Sequence, residues 1–104
     1  MAHDDSNEEN RIVAVQLFSK MADTFGRDLC DQFIGLEILS LGEDSHLKVR
    51  QEAIINLPII SKEVSQSFFR NRLLKFYQKK SNEQNWGIRK SCVDILIEMA
   101  AICD

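Results

Sequence analysis

Three copies of one short residue pattern recur at a constant interval along this chain. Each copy has an acidic residue, an arginine six positions later and a small residue three positions after the arginine. The copies are Asp5, Arg11 and Ala14; Asp44, Arg50 and Ala53; and Glu83, Arg89 and Cys92. An interval of about 40 residues is typical of arrays of stacked helix pairs, in which each pair buries its apolar face against its neighbours.

Apolar residues follow the same interval as the charged pattern. The equivalent positions are Val15, Ile54 and Val93; Phe18, Leu57 and Leu96; and Met21, Ile60 and Met99. Within each copy these residues are three or four positions apart, which is the spacing of an amphipathic helix. The spacing predicts three inner helices, the B helices, over 9–25, 46–61 and 86–102.

Two further apolar stripes predict outer helices, the A helices, over 27–41 and 64–80. We expect Gly26 to end the first B helix and Ser65 to cap the second A helix. The predicted fold is an all-α chain of five helices, an α-α superhelix of about two and a half helical-hairpin repeats. Its predicted parts are a polar tail over 1–8, the first B helix, and repeats over 26–62 and 63–104.

Pro58 lies late in the second B helix. It lacks the N–H that would bond to the carbonyl of Ile54, so we expect a kink followed by further helix. The alternative is that the helix ends at Leu57.

The repeated acidic residues and arginines predict a ladder of charge-assisted hydrogen bonds, in which each acidic turn residue meets the arginine of its own copy or of the next. Its members are Asp5, Arg11, Asp44, Arg50, Glu83 and Arg89. Exposed pairs of this kind contribute only about 0–1 kcal/mol each, so we expect them to set register more than stability. The alternative is that the arginines contact an acidic partner.

The composition excludes several protein classes. Apolar residues make up 44% of the chain and charged residues 28%, which is typical of neither a disordered nor a membrane-embedded protein. The net charge of −3 provides no electrostatic footprint for nucleic acid. The polar N-terminus lacks the layout of a secretory signal, and the cysteine count is odd, at 3, which predicts reduced thiols in the cytoplasm or nucleus. We expect Cys92 to pack against a helix rather than to react.

No pattern of catalytic residues is present in the sequence. The two histidines, His3 and His46, lie in no nucleophile or metal spacing, and the four glycines form no phosphate-binding loop. We therefore expect no enzymatic activity, no cofactor, no metal and no small-molecule substrate.

Two runs of sequence carry a family resemblance. The run from Leu47 to Pro58 and the run from Trp86 to Cys92 resemble HEAT repeats. They are most similar to those of the scaffolding and regulatory subunits of protein phosphatases 2A and 4, and the run from Gly26 to Leu29 is also similar to the phosphatase 4 subunit. Full scaffolds of this family carry many more repeats, so the resemblance implies a fragment or a minimal relative.

The resemblance implies a non-catalytic scaffold that binds phosphatase catalytic or regulatory subunits along the ridge of turns within its helix pairs. The partner-binding residues that it implies are His46, Leu47, Lys48, Asn85, Trp86 and Gly87. Trp86 is the leading candidate, because aromatic anchors dominate interface energetics. The alternative for Trp86 is that its indole belongs to the core.

Two other interactions follow from the sequence. The A helix over 64–80 is basic and would bind an acidic protein, calmodulin, a membrane or RNA, although a solvated helix face explains its charges as well. Its basic residues are Arg70, Arg72, Lys75, Lys79 and Lys80. The last helix has no repeat after it, so Val93, Leu96 and Met99 are expected to form an apolar face that favours self-association.

Overall fold

The described part of the protein is helical throughout. The computed structural model describes residues 5–103, with the side chains of 8–103, and contains no strand in that range. Its elements in chain order are α1 (Asp5–Leu29), a π-helical segment π1 (Cys30–Ile34), α2 (Gly35–Leu41), α3 (Leu47–Ile55), α4 (Leu57–Ser61), α5 (Gln66–Phe68), a second π-helical segment π2 (Phe69–Leu73), α6 (Leu74–Ser81), α7 (Trp86–Asp94) and α8 (Leu96–Cys103). The all-α prediction is confirmed, but these elements form six continuous helical runs over 5–103 rather than five.

The inner helices lie side by side in chain order. Helix α3 packs against α1 on one side and against α7 on the other. Gln16 Nε2 on α1 donates to Glu52 Oε2 on α3 at 3.2 Å, and Gln51 Nε2 on α3 donates to the carbonyl of Gly87 on α7 at 3.1 Å. Successive copies of the repeat are therefore neighbours in space.

The outer helices cover the inner ones and touch each other through two aromatic rings. Helix α2 packs on α3, and α6 packs on α7. The ring of Phe68 lies against Gly35, and the ring of Phe76 lies against Gly42, where a Cβ atom would overlap it. The shortest extent of the Cα trace is 18 Å, which fits two layers of helices about 10 Å wide.

Irregularities in the helices recur at the sequence interval. The first residues of the two π-helical segments, Cys30 and Phe69, are equivalent positions of the repeat, and so are the two breaks in the inner helices, at Asn56 and Ile95. The second break has no nearby proline, since Ile97 occupies the position of Pro58. Proline is therefore not required for the break.

Gly26 forms the corner between the first inner and outer helices. Its backbone angles are φ 84° and ψ 167°, a conformation that glycine adopts without the steric cost of a side chain. Because these angles are not helical, the chain bends at Gly26 between the predicted helices over 9–25 and 27–41. With this kinked run counted as one, the breaks at Asn56 and Ile95 raise the number of helical runs over 5–103 to six.

The other boundaries differ in smaller ways. Helix α1 begins at Asp5, so residues 5–8 belong to a helix rather than to the predicted tail. The Asp5 side chain and residues 1–4 and 104 lie outside the described residues. Ser65 accepts a hydrogen bond from the backbone N–H of Phe68 at 3.1 Å and caps the second outer helix as predicted. The chain remains helical to Ser61 beyond Pro58, so the alternative ending at Leu57 is wrong.

Both layers contribute to one apolar core. Fully buried residues of the inner helices include Val15, Ile54, Leu57, Ile60 and Ile88. The outer helices add Ile34, Ile38 and Leu73, which have no exposed surface. The core therefore lies between the layers and leaves the turns within each pair, Gly42–His46 and Asn82–Asn85, at one edge of the molecule.

Candidate functional site

Trp86 is the most exposed aromatic residue of the described chain at an element boundary. It opens α7, directly after Asn85, whose side chain accepts a hydrogen bond from the backbone N–H of Ile88 at 3.2 Å and caps the helix. The Trp86 side chain is 68% exposed. This exposure excludes the alternative that its indole belongs to the core.

An apolar groove of ≈ 520 Å³ runs from Trp86 along α7 and α6. The residues that line it are Tyr77, Ser81, Trp86, Arg89, Lys90, Cys92, Val93 and Leu96. Val93 and Leu96 are 67% and 53% exposed, so the groove floor offers aliphatic surface to a partner. An exposed tryptophan beside an apolar floor is a combination typical of binding hot spots.

Two cations border the groove and are held in different ways. Arg89 Nη1 donates to the carbonyls of Glu83 and Gln84 at 2.6 and 2.8 Å, which fixes its guanidinium at the turn. Lys90 Nζ pairs with Asp94 Oδ2 at 3.0 Å on an exposed helix face. Such an exposed pair is weak, so Lys90 can turn towards a carboxylate of a bound partner.

The floor of the groove is chemically inert. Tyr77 donates from its hydroxyl to the carbonyl of Cys92 at 2.8 Å, and burial raises the pKa of both the Tyr77 phenol and the Cys92 thiol. Cys92 therefore carries a protonated thiol at neutral pH and lacks the thiolate that a nucleophile needs. This agrees with a packing role for Cys92.

The turn of the second copy is mostly occupied by internal contacts. The ring nitrogen Nδ1 of His46 lies 2.9 Å from Arg11 Nη2. The backbone N–H of His46 donates to Asp44 Oδ2 at 2.9 Å. Leu47 is 37% exposed and packs beside Gly87, where a Cβ atom would lie 3.7 Å from Leu47 Cδ2. Of the three residues predicted here, Lys48 alone is exposed without such a contact between copies. Of the six predicted binding residues, Leu47 and Gly87 thus meet between the two turns, and Trp86 is the accessible aromatic anchor.

Among the described side chains, 8–103, the ladder includes an arginine–carboxylate contact between copies. Arg11 Nε donates to Asp44 Oδ1 at 2.7 Å, and Arg11 Nη2 donates to Asp44 Oδ2 at 3.1 Å. Burial alone would raise the pKa of Asp44, but the hydrogen bonds from Arg11 and from the backbone of His46 outweigh it and hold that pKa below its usual value. This contact links α1 to the turn before α3.

The other two arginines bind main-chain oxygens instead. Arg50 Nη1 donates to the carbonyl of Asp44 at 2.8 Å, as Arg89 does to the carbonyl of Glu83. Each of these arginines thus ties the start of its inner helix to the preceding turn of its own copy. Arg50 and Arg89 therefore meet the acidic residue of their own copy through its main-chain carbonyl rather than through its carboxylate.

Lys80 makes the contact between turns that the sequence did not reveal. Its side chain is 3% exposed, and its Nζ donates to Glu43 Oε1 at 2.7 Å and to Glu83 Oε2 at 3.2 Å. The same Nζ lies 5.4 Å from the centre of the Phe76 ring, within cation–π range. Lys80 therefore is not one of the solvated charges of the basic helix, whereas Arg70, Arg72, Lys75 and Lys79 are exposed.

The charges around Lys80 stabilise each other. Burial disfavours the charged form of Lys80, but the carboxylates of Glu43 and Glu83 outweigh it and raise the pKa of Lys80. Partial burial alone would raise the pKa of Glu43, but the Lys80 ammonium outweighs it and lowers that pKa. A helical stripe already places Lys80 with Phe76, Tyr77 and Leu73, and this signal marks it as an inward-facing residue.

The described residues contain neither a membrane-spanning helix nor a metal-binding cluster. No helix within residues 5–103 is long and apolar enough to cross a bilayer. In the same part of the chain, no cluster of three or more histidine, cysteine or acidic side chains is arranged to hold a metal ion.

Comparison of the chain with protein-family models, with curated proteins and with solved structures finds no match. The HEAT resemblance and the phosphatase partner therefore stay predictions.

Proposed function

We propose that this protein is a non-catalytic scaffold that binds a partner protein through the groove beside Trp86. The observation that carries this proposal is an indole, 68% exposed, at the mouth of an apolar groove of ≈ 520 Å³. Exposed tryptophan at an apolar cleft is costly unless a partner covers it, and such residues contribute most to interface affinity.

The architecture that we propose is an α-α superhelix of the HEAT or armadillo type, with about two and a half repeats. The sequence interval, the side-by-side inner helices and the recurrence of both kinds of helix irregularity at equivalent positions support it. In such an array the turns within helix pairs form a ridge, and Trp86 directly follows the turn over 82–85.

The partner that we propose is a catalytic or regulatory subunit of a serine/threonine phosphatase of the 2A or 4 type. The support is the resemblance of the runs from Leu47 to Pro58 and from Trp86 to Cys92 to the scaffolding subunits of those enzymes. The three free thiols are compatible with the cytoplasmic or nuclear location that this partner requires.

The groove favours an apolar segment that ends in an acidic group. The aliphatic floor of Val93 and Leu96 would receive the apolar side chains, while Arg89 and Lys90 would meet a carboxylate at the rim. Because Arg89 is already fixed by two carbonyls, its ordering adds little entropic cost on binding.

The test is a pull-down of phosphatase subunits by the wild type, by Trp86→Ala and by a matched control, Ile59→Ala. Ile59 is also an exposed apolar side chain, at 48%, but it lies on α4 away from the groove. We expect Trp86→Ala to abolish recovery of the phosphatase subunits while helicity by circular dichroism is unchanged, and Ile59→Ala to retain recovery. Equal recovery by both variants would remove Trp86 from the site, and no recovery by the wild type would contradict the phosphatase partner.

The same assay tests whether the basic outer helix, rather than the groove beside Trp86, binds the partner. Arg72→Ala with Lys75→Ala removes two exposed charges from the outer helix without touching the groove. If binding fell with this variant and decreased steeply with salt, the interaction would be led by charge and the basic face would be the site instead.

A further inference from the structure

A second groove, of ≈ 500 Å³, lies between the two outer helices, and we call it the outer groove. The ring of Phe68 contacts the first outer helix at Gly35, and the ring of Phe76 contacts it at Gly42. Because the two contacts follow each other in the same order on both helices, the helices run side by side in the same direction. The outer groove is the cleft that this parallel arrangement leaves between them.

The floor of the outer groove is apolar. Leu36 and Leu39 line it from α2, and Phe76 lines it from α6. Leu36 is 39% exposed, whereas Leu39 is half-buried and Phe76 is 8% exposed. The floor therefore lies below the rim and offers apolar surface to side chains that enter the groove.

The rim on the side of the second outer helix is a row of cations. Arg72, Lys75 and Lys79 line the outer groove, and all three are exposed. Their spacing of three and four residues places them along one face of the helix. At a rise of about 1.5 Å per residue, the row extends over roughly 10 Å, or two helical turns.

This row of cations has no acidic residue on its own helix, since residues 66–81 contain neither aspartate nor glutamate. Like charges three and four residues apart repel each other on a helix. The guanidinium of Arg72 lies 5.7 Å from the centre of the Phe68 ring, which orients it. Among the described side chains, 8–103, neither Arg72 nor Lys75 forms an ion pair. Both charges are therefore available to a ligand.

The carboxylate of Glu43 lies at the end of the outer groove and is already neutralised. Its Oε1 accepts a hydrogen bond from Lys80 Nζ at 2.7 Å, and its Oε2 lies 3.5 Å from Lys79 Nζ. Because the buried ammonium of Lys80 balances Glu43, the groove surface as a whole remains positive. An anionic ligand therefore meets complementary charge there.

We propose that the outer groove binds an acidic amphipathic helix of a partner protein. The apolar side chains of this helix pack on Leu36 and Phe76, and its carboxylates, three and four residues apart, pair with the row of cations. Helices commonly bind in this way, with an apolar face laid into a groove. The carboxylates also relieve the repulsion within the row, which gives the partner its specificity for acidic residues.

The shape of the outer groove favours a protein segment over a lipid surface or RNA. A lipid surface takes up apolar side chains that project beyond the cations, but the Phe76 ring lies beneath them and is 8% exposed. Single-stranded RNA is bound by stacking of its bases on exposed aromatic rings, and the same burial of Phe76 prevents this.

The apolar face predicted for the last helix offers weaker support for an interaction. Val93 and Leu96 are exposed, but Met99 is 1% exposed and belongs to the core, so this face lacks one of its three predicted members. Self-association therefore stays a prediction. The outer groove, in contrast, combines an apolar floor with charges that specify the chemistry of its occupant.

The test is fluorescence anisotropy with a labelled helical peptide of roughly 14 residues, about four turns. Leucines form one stripe of the peptide and glutamates form the adjoining stripe, and a control peptide has glutamine in place of glutamate. We expect the wild type to bind the glutamate peptide saturably and the glutamine peptide at least about tenfold more weakly. Phosphatidylserine vesicles and poly(U) RNA serve as competitors and are not expected to displace the peptide.

Two variants of the protein locate the site. Arg72→Gln with Lys75→Gln is expected to weaken binding of the glutamate peptide about tenfold. Its matched control, Lys62→Gln with Arg70→Gln, removes two exposed cations that do not line the outer groove, and is expected to bind like the wild type.

Ser40→Tyr fills the outer groove from α2 without any change of charge and is expected to weaken binding by a similar factor. Ser40 is exposed, so the helix should tolerate the ring. Ser40→Gln takes its place if circular dichroism shows a loss of helix.

Four outcomes would overturn the proposal. They are no binding of the glutamate peptide by the wild type, equal binding of both peptides, equal losses in the two double variants, and unchanged binding by Ser40→Tyr. Displacement of the peptide by vesicles or RNA would assign the outer groove to that ligand instead. The proposal does not depend on the phosphatase partner: Trp86→Ala is expected to retain peptide binding, because Trp86 does not line the outer groove. The two proposals therefore fail separately.

Discussion

The Nζ of Lys80 lies 2.7 Å from Oε1 of Glu43, although 37 residues separate the two along the chain. Lys80 also reaches Glu83, so one buried ammonium joins the turn of the second copy to the turn of the third. The turns that form the proposed binding ridge are therefore held in register by a buried charge and not by the half-buried arginines alone.

Replacing Lys80 by alanine should destabilise the protein. The variant leaves two carboxylates without their cation and opens space beside Phe76, and we expect a loss of about 1–3 kcal/mol in the free energy of unfolding. Urea denaturation followed by circular dichroism measures it. Lys79→Ala is the matched control, since Lys79 is 68% exposed and makes only a 3.5 Å contact with Glu43. Equal losses in the two variants would show that Lys80 is not a buried clamp.

Stability should fall on acidification. The pKa values of Asp44 and Glu43 are lowered from ordinary values of 3.8 and 4.5, so their contributions are complete above that range and are lost as the pH falls through the folded-state values. The free energy of unfolding measured between pH 7 and pH 3 should therefore decrease at its acid end. Asp44→Asn should be less stable at pH 7 and should show a flatter decrease. A variant curve parallel to that of the wild type would contradict the role of Asp44.

At high pH, the contribution of Lys80 to stability is lost as the pH rises, which is the opposite direction to that of the two carboxylates. The pKa of Lys80 is raised from 10.5, so its contribution is complete below that value and is lost as the pH rises through the folded-state pKa.

Gly42→Ala should destabilise the contact between the outer helices. The backbone φ at Gly42 is −68°, which alanine adopts without strain, so the cost is the overlap of its Cβ with the Phe76 ring. We expect about 1–3 kcal/mol by urea denaturation. Combining it with Phe76→Leu should relieve the overlap, so that the double variant loses less than the sum of the single losses. Strict additivity would show that the two residues do not meet.

Several features of the fold followed directly from residue types. Gly26 marked the end of the first inner helix because only glycine adopts its φ of 84° at no steric cost, and Ser65 marked a helix start because its hydroxyl caps a free N–H. Apolar spacing also identified the outer stripe of Phe69, Leu73, Phe76 and Tyr77, all of which are buried.

Other features depend on contacts between copies, which a single sequence does not display. Val13, Leu17 and Met21 have the spacing of a core stripe but are exposed. Val13 and Leu17 border an open cleft beside Asn56 and Ile59 of the second copy. Ile95 breaks its inner helix without a proline, and the sequence contains no local signal for that break. The helical stripe indicates that Lys80 faces inward, but the sequence gives no sign of its partner Glu43, which lies in a turn that is remote along the chain.

The central claim is that sequence-equivalent residues are buried where another copy lies beside them and open where the described residues contain no such copy. Val15 and Val93 are such a pair, 0% and 67% exposed. Native-state thiol labelling of Val15→Cys and Val93→Cys tests it most directly, at low protein concentration and with Cys30→Ala, Cys92→Ala and Cys103→Ser in the background. The account predicts labelling at position 93 that is faster by roughly a hundredfold or more, because position 15 reacts only after the structure opens. Similar rates at the two positions would contradict it, since they would mean that the two copies have the same surroundings.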